Sequence, residues 1–273
     1  MKPRALDSPA THRRTRLSHC MARVPLLALA ALPAGALAAP EEIQVYMDEM
    51  NHPGQFGLDL HNNYVVSGDE GADYPGAQAS LHTYRLTPEF SYGLDESFEL
   101  GAYLPLLTVT GHDGVRAQGV KARIKYLSPG SRAGVRWWGV NLEIGRVDHA
   151  LDTNPWNAEL KAIVGGRGDK WLLAANFNFD AVVSGPQHGP VSLDVDTKLS
   201  YSVTPNLQLG LESYNGLGAA SHPGPLSGEE QSLYLAADTR ISRWEVNVGL
   251  GRGYGASRDG WIVKAIIGVP IGK

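Results

Sequence analysis

The chain has 273 residues, a formal net charge of −4 and a mean hydropathy of −0.19. It holds no uninterrupted run of the ~18 or more apolar residues that a membrane-crossing helix needs, which excludes a helical membrane protein. Its single cysteine excludes a disulfide scaffold and a thiolate metal site.

The amino terminus reads as a leader. Arg13, Arg14, Arg16 and Arg23 precede the apolar stretch from Val24 to Leu32, and Ala36-Leu37-Ala38 follows as a small-x-small site. This pattern predicts a secretory signal peptide over residues 1–38, with Met1 or Met21 as the start. The Arg13-Arg14 pair lies well before the apolar core, and a barrel is exported unfolded, so twin-arginine export does not fit. Cys20 precedes the apolar stretch rather than following it, so it is not a lipidation site. Cleavage leaves 18 basic and 27 acidic residues, a net charge of −9. Nucleic acid is a poor partner for that charge.

Residues 39–54 are expected to form a periplasmic amino-terminal segment, and 55–273 a single barrel domain. From there on, ten-residue segments alternate apolar and polar side chains. Val191, Leu193, Val195, Thr197, Leu199, Tyr201 and Val203 fall on one sheet face, and Ser192, Asp194, Asp196, Lys198, Ser200 and Ser202 on the other. Twelve such strands are predicted: 55–66, 80–93, 98–109, 115–127, 135–147, 156–165, 171–182, 191–203, 207–215, 230–239, 244–254 and 260–271. Each is near the ~9–11 residues that a tilted strand needs to cross hydrocarbon. The fold class is therefore all-β, an antiparallel up-and-down transmembrane barrel.

Connections support this reading. Tight turns rich in Gly, Pro, Asn and Asp at 94–97, 128–131, 166–170, 204–206 and 240–243 alternate with more variable connections. Short periplasmic turns and longer outer loops produce that rhythm. Rings gather at the strand ends: Tyr92, Phe98, Tyr126, Trp138, Trp171, Tyr201 and Trp244 lie beside the short turns in the apolar register. Tyr64, Tyr84, Trp156, Phe179 and Trp261 lie at the opposite ends. Two aromatic girdles at headgroup depth are what a bilayer selects. A soluble sandwich alternates too, but it has no reason to place a ring at every turn.

The inward register carries charges of both signs: Arg85, Glu89, Glu99, Lys121, Arg123, Lys125, Glu143, Asp194, Asp196, Lys198 and Glu212, with Glu159, Lys161, Asp180, Asp238, Glu245 and Lys264 farther round. Charge facing lipid at the midplane costs ~2–4 kcal/mol, so these side chains are expected to line the lumen. Either they pair across strands, Glu99 with Lys125 for example, or the ladder Lys121, Arg123, Lys125 faces Asp194 and Asp196 and orients polar solutes. Ile163, Leu172, Ile262 and Ile266 are apolar exceptions in this inward register.

Chemistry beyond transport has thin support. His112, His149, His188 and His222 sit in separate outer loops, and no pair of mature histidines, His52, His61 and His82 included, has metal-ligand spacing. The outward trio Asn62, Ser80 and His82 invites comparison with the lipid-facing Ser, His and Asn of outer-membrane phospholipase A. In that reading His82 deprotonates Ser80 while Asn62 orients the imidazole. The order Ser80-Leu81-His82-Thr83 departs from that family's motif, in which histidine precedes serine.

Glu42-Ile43-Gln44-Val45-Tyr46, Pro53 through Tyr64, Thr87 through Gly93 and Glu99 through Leu106 carry a resemblance. They are similar to proteobacterial outer-membrane barrels grouped loosely with the phenol meta-pathway proteins, a family described as outer-membrane channels. The resemblance implies passive transport and supplies no catalytic or binding residues. Many outer-membrane barrels end in an aromatic residue that the assembly machinery reads, whereas this chain ends Val269-Pro270-Ile271-Gly272-Lys273.

The expectation is a non-enzymatic channel or uptake route for small molecules, in the outer membrane of a Gram-negative bacterium. No cofactor and no metal are implied. Its partners are outer-membrane lipid and lipopolysaccharide, the barrel-assembly machinery and a small-molecule solute. A lipid hydrolase, or a structural or adhesive barrel binding through its loops, are the alternatives.

Overall fold

The computed structural model describes residues 42–111, 114–131 and 134–271. The expected signal peptide, with Cys20 and Met21, lies outside them, as does His112.

Among the described residues fourteen strands follow one another: β1 (Phe56–Val65), β2 (Tyr84–Gly93), β3 (Phe98–Tyr103), β4 (Leu107–Thr110), β5 (Gly114–Ala117), β6 (Gly119–Leu127), β7 (Arg136–Val147), β8 (Trp156–Arg167), β9 (Trp171–Ser184), β10 (Ser192–Thr204), β11 (Leu207–Ala219), β12 (Glu230–Ile241), β13 (Trp244–Gly255) and β14 (Trp261–Val269). β3 with β4, and β5 with β6, run end to end as single staves, so the wall has twelve. All pairings between strands are antiparallel, and β1 pairs with both β2 and β14, which closes the barrel; β5 alone among the described strands, paired only with β4, keeps a free edge.

The break between β3 and β4 falls at Leu104-Pro105-Leu106, where Pro105 has no N–H to give to the ladder. Backbone bonds carry the wall through it: Leu104 N donates to Pro88 O at 3.0 Å, Leu106 N to Gly119 O at 2.9 Å, and Gln118 N to Leu106 O at 2.7 Å. β2 starts at Tyr84 rather than at residue 80 as expected. Residues 80–83 form a turn in which His82 has φ +57° and Thr83 N donates to Ser80 O. β9 and β11 instead run past their expected ends, to Ser184 and Ala219, because each stays paired there with a neighbouring strand, Ser184 with Trp156 and Ala219 with Ser192.

Exposure alternates along each strand. On β7, Trp138, Leu142 and Ile144 face outward while Trp137, Asn141, Glu143 and Gly145 are buried. The outward rings beside the short turns touch across strands: Phe56 with Tyr92 (4.7 Å between centroids), Phe98 with Tyr126 (5.1 Å), Tyr126 with Trp138 (5.6 Å) and Trp171 with Tyr201 (4.9 Å). Trp244 lies exposed at the same rim. Large inward rings fit because the neighbouring strand supplies glycine: a Cβ at Gly165 would collide with the Trp137 ring, and one at Gly251 with Tyr234.

The apolar core is inside the barrel, and it corrects one expectation. Residues 42–52, expected to hang in the periplasm, thread the lumen instead. The segment enters at the short-turn rim, where Gly54 N donates to Gly93 O at 2.8 Å and Gly93 N to Gln55 O at 3.0 Å. Val45 and Tyr46 then pack against Trp137, Ile163, Leu172 and Ala174. Ile43 packs against Val65, Tyr234 and Ile262. The physical reason is burial. Ile43, Val45 and Tyr46 would be stranded in water in the periplasm, and the wall offers sockets for them from residues that break its polar inward pattern.

Candidate functional site

The lumen and the segment that crosses it form the candidate site. A buried extended chain must have its amides and carbonyls satisfied, and the wall does this with side chains. Asn176 on β9 accepts the Tyr46 amide at 2.6 Å and donates to the Tyr46 carbonyl at 2.9 Å. Lys264 on β14 donates to Ile43 O at 2.9 Å, Lys125 on β6 donates to Glu49 O at 2.6 Å, and Glu99 on β3 accepts the Asn51 amide at 2.6 Å. The Asn51 side chain donates to Ser91 at 2.7 Å and to Glu99 at 2.8 Å. Asp48 pairs with Arg167 from β8.

Tyr46 is the hub. Its hydroxyl bonds to that of Tyr103 and lies 3.3 Å from Glu143 Oε1. Three cations approach its ring: Lys161 at 4.2 Å, Lys125 at 5.1 Å and Arg123 at 5.9 Å from the centroid. The segment is thus braced from β3, β6, β7, β8, β9 and β14 at once.

The wall charges are buried and largely partnered. Arg123 contacts Glu89 at 2.5 Å and Glu99 at 2.8 Å. Glu212 contacts Lys198 at 3.1 Å and pairs with Lys264, and Lys198 also reaches Asp238 at 2.8 Å. Asp196 accepts from Asn178 at 2.6 Å, and Asn141 donates to Glu143 at 2.7 Å. Arg85 is buried, while Lys121 and Asp194 are half-buried.

Two expected arrangements differ. Glu99 and Lys125 are opposite in register, yet the Glu99 carboxylate goes to Arg123 and Asn51 while Lys125 turns to the lumenal backbone. Arg123 of the basic ladder is likewise held by Glu89 and Glu99 rather than left to face Asp194 and Asp196 across an open lumen. The cause is reach: Arg123 sits beside Glu99 and Glu89, and the intruding segment takes the centre.

Asn62, Ser80 and His82 are not brought together as a triad. The Ser80 hydroxyl donates to Asp259, the Asn62 side chain donates to Leu60 O at 2.8 Å and accepts from Tyr84, and His82 stacks at 6.4 Å on Tyr64. Ser80 is buried rather than presented to lipid.

At the rim opposite the short turns, connections clasp the closing seam of the barrel. Arg258 binds Asp69 (3.1 Å), Asp73 (2.5 Å) and Gly71 O (3.1 Å), joining 67–79 to 255–259. Tyr74 donates to His149 O at 2.8 Å. Partial burial, with Asp152, Asp73 and Asp148 nearby, pushes the Tyr74 hydroxyl up to about 12.

Sequence reasoning missed the lumenal segment. The inward apolar residues Ile163, Leu172 and Ile262 were its available signal.

No protein-family model matches the chain, and no curated protein matches it in sequence. Solved structures do resemble it. The COG4313 outer membrane channel from Pseudomonas putida F1 aligns with a TM-score of 0.54 at 15% identity, over 83% of this chain and 99% of that one. The NanC porin aligns with a TM-score of 0.50 at 9% identity, over 77% of this chain and 97% of that one. At such identities the likeness is one of fold: a closed twelve-stranded antiparallel barrel of the Gram-negative outer-membrane kind.

Proposed function

We propose that the protein is a passive outer-membrane channel or uptake route for small molecules, held narrow by its own segment 42–52. The observation that carries this is the way the segment is held. It joins no strand ladder inside the lumen. It rests on side-chain hydrogen bonds and two apolar sockets, so it is separable from a barrel that is closed without it. Lining charges of both signs, Lys121, Asp194 and Asp196 among them, then meet polar solutes as these pass. Outer-membrane lipid and lipopolysaccharide surround the apolar band, and the barrel-assembly machinery inserts it. Resemblance to barrels grouped with phenol meta-pathway proteins suggests aromatic catabolism as the context.

The same bracing supports a second reading, a plugged structural barrel that binds through its outer loops. Planar-bilayer recording separates the two. The chain after its leader, and a variant lacking 42–52, are refolded and recorded under a salt gradient. A channel shows small steps in the intact protein and larger ones in the truncated protein, with a reversal potential that reports which lining charges set selectivity. A folded barrel that passes no current in either form overturns the channel reading.

A further inference from the structure

We propose that Glu42, His61 and Glu89 form a binding site for a zinc-class divalent ion that ties the lumenal segment to the barrel wall. Glu42 comes from the segment, His61 from the middle of β1 and Glu89 from β2, and one donor atom of each lies within 4.8 Å of the others. The two strand residues are inward-facing and 2–3% exposed. In the β1–β2 register Asp59 lies opposite Glu89, two residues from His61 on the same inward face.

A second observation points to a ligand. His61 Nδ1 and Glu42 Oε1 are both buried without a hydrogen-bond partner. Such groups normally find one, because an unpaired buried polar atom loses its hydration for nothing. Glu89 meets Arg123 on one side and His61 on the other. Its Oε1 takes Arg123 at 2.5 Å, while its Oε2 faces His61 Nε2 at 2.9 Å. Arg123 therefore fixes the carboxylate from behind and leaves the other oxygen aimed at the imidazole, as residues behind metal ligands commonly do.

The donor set selects the ion. One imidazole and two carboxylates suit a borderline cation such as Zn²⁺, whereas Ca²⁺ and Mg²⁺ call for all-oxygen shells. Ligand distances of ~2.0–2.2 Å require donors about 3.3 Å apart, so Glu42 closes inward on binding while His61 Nε2 and Glu89 Oε2, 2.9 Å apart, open slightly as the ion replaces the hydrogen bond between them. Glu42 lies outside the strands, so an ion held here would lock the segment in place and oppose its release.

The test is calorimetric and does not depend on conductance. The protein refolded in detergent is stripped with chelator and titrated with ZnCl₂, with MgCl₂ as the control, alongside Glu42→Gln and His61→Gln. Glu42 precedes the first strand, so Glu42→Gln leaves the barrel to fold. One Zn²⁺ per chain, bound roughly tenfold or more weaker in both variants, is the expected result. Absence of saturable Zn²⁺ binding overturns the site, as does an affinity in both variants equal to that of the unaltered protein, which would place the ion on loop histidines. Loss in His61→Gln with none in Glu42→Gln overturns the tie between segment and wall. A barrel that conducts nothing but binds Zn²⁺ as described would sink the channel reading and leave this one standing.

Discussion

Asn176 grips Tyr46 as a β-strand would, accepting its amide at 2.6 Å and donating to its carbonyl at 2.9 Å, across 130 residues of sequence. One side-chain amide thereby satisfies both backbone groups of the residue at the centre of the lumen. Leucine in its place fills similar space but leaves both groups unpaired, at a cost of about 1–3 kcal/mol. Asn176→Leu is expected to leave the barrel folded and to speed hydrogen exchange at the Tyr46 amide by roughly tenfold or more, while amides within β9 and β10 exchange as before. Unchanged protection at Tyr46 would mean that the apolar sockets alone hold the segment.

The outward face makes a separate prediction. Leu142 is 48% exposed, with Ile124 and Leu160 opposite it on the two neighbouring strands, all within the apolar band. Leu142→Arg should cost ~2–4 kcal/mol if that band sits in hydrocarbon. The measurement is the urea midpoint of the protein refolded into lipid vesicles, with Leu142→Ala as the size control. Equal midpoints for the two variants would place this face in water.

Much of the wall was legible because a barrel writes its period directly into the chain: Leu193, Val195 and Leu199 against Asp194, Asp196 and Lys198 needs nothing beyond parity. The rings were legible for the same reason, since Trp138 and Trp171 occupy the apolar register beside short turns. What lies in the lumen was not. Ile43 and Val45 carry no period that says where they bury, and their partners Ile262, Ile163 and Leu172 are far away in sequence. Side-chain pairing was legible only to the level of the ladder. Register puts Glu99 opposite Lys125, but Arg123 reaches both Glu89 and Glu99, and the Glu49 carbonyl competes for Lys125. The strand start at residue 80 failed because Ser80 finds a partner in Asp259, at the far end of the chain, which no local pattern encodes.

Arg258 joins the connections 67–79 and 255–259 through Asp69, Asp73 and the Gly71 carbonyl. Ion pairs at an exposed rim are worth ~0–1 kcal/mol each, and the wall beneath is closed without them. Arg258→Ala should therefore leave the unfolding midpoint of the barrel unchanged while making 67–79 a faster site of limited proteolysis. A large drop in the midpoint would show that the clasp helps to hold the β1–β14 seam.

Glu212 carries the opposite kind of pair. It is 1% exposed and meets two ammonium groups, Lys198 at 3.1 Å and Lys264, the second of which also holds the Ile43 carbonyl. Glu212→Gln keeps the shape but removes the charge, leaving Lys264 with only neutral partners at that point and Lys198 with Asp238. Breaking one side of a buried charge cluster typically costs about 3–5 kcal/mol, because the remaining ions have already given up their hydration. A lumen that admits water would return part of that hydration. The urea midpoint of Glu212→Gln thus reports on wetness: a loss near the full figure means that the segment keeps this side of the lumen dry, and a loss under about 1 kcal/mol means that water reaches Lys264 past Ile43. Repeating the measurement in the variant lacking 42–52 should shrink the loss, since removing the segment opens the cluster to solvent.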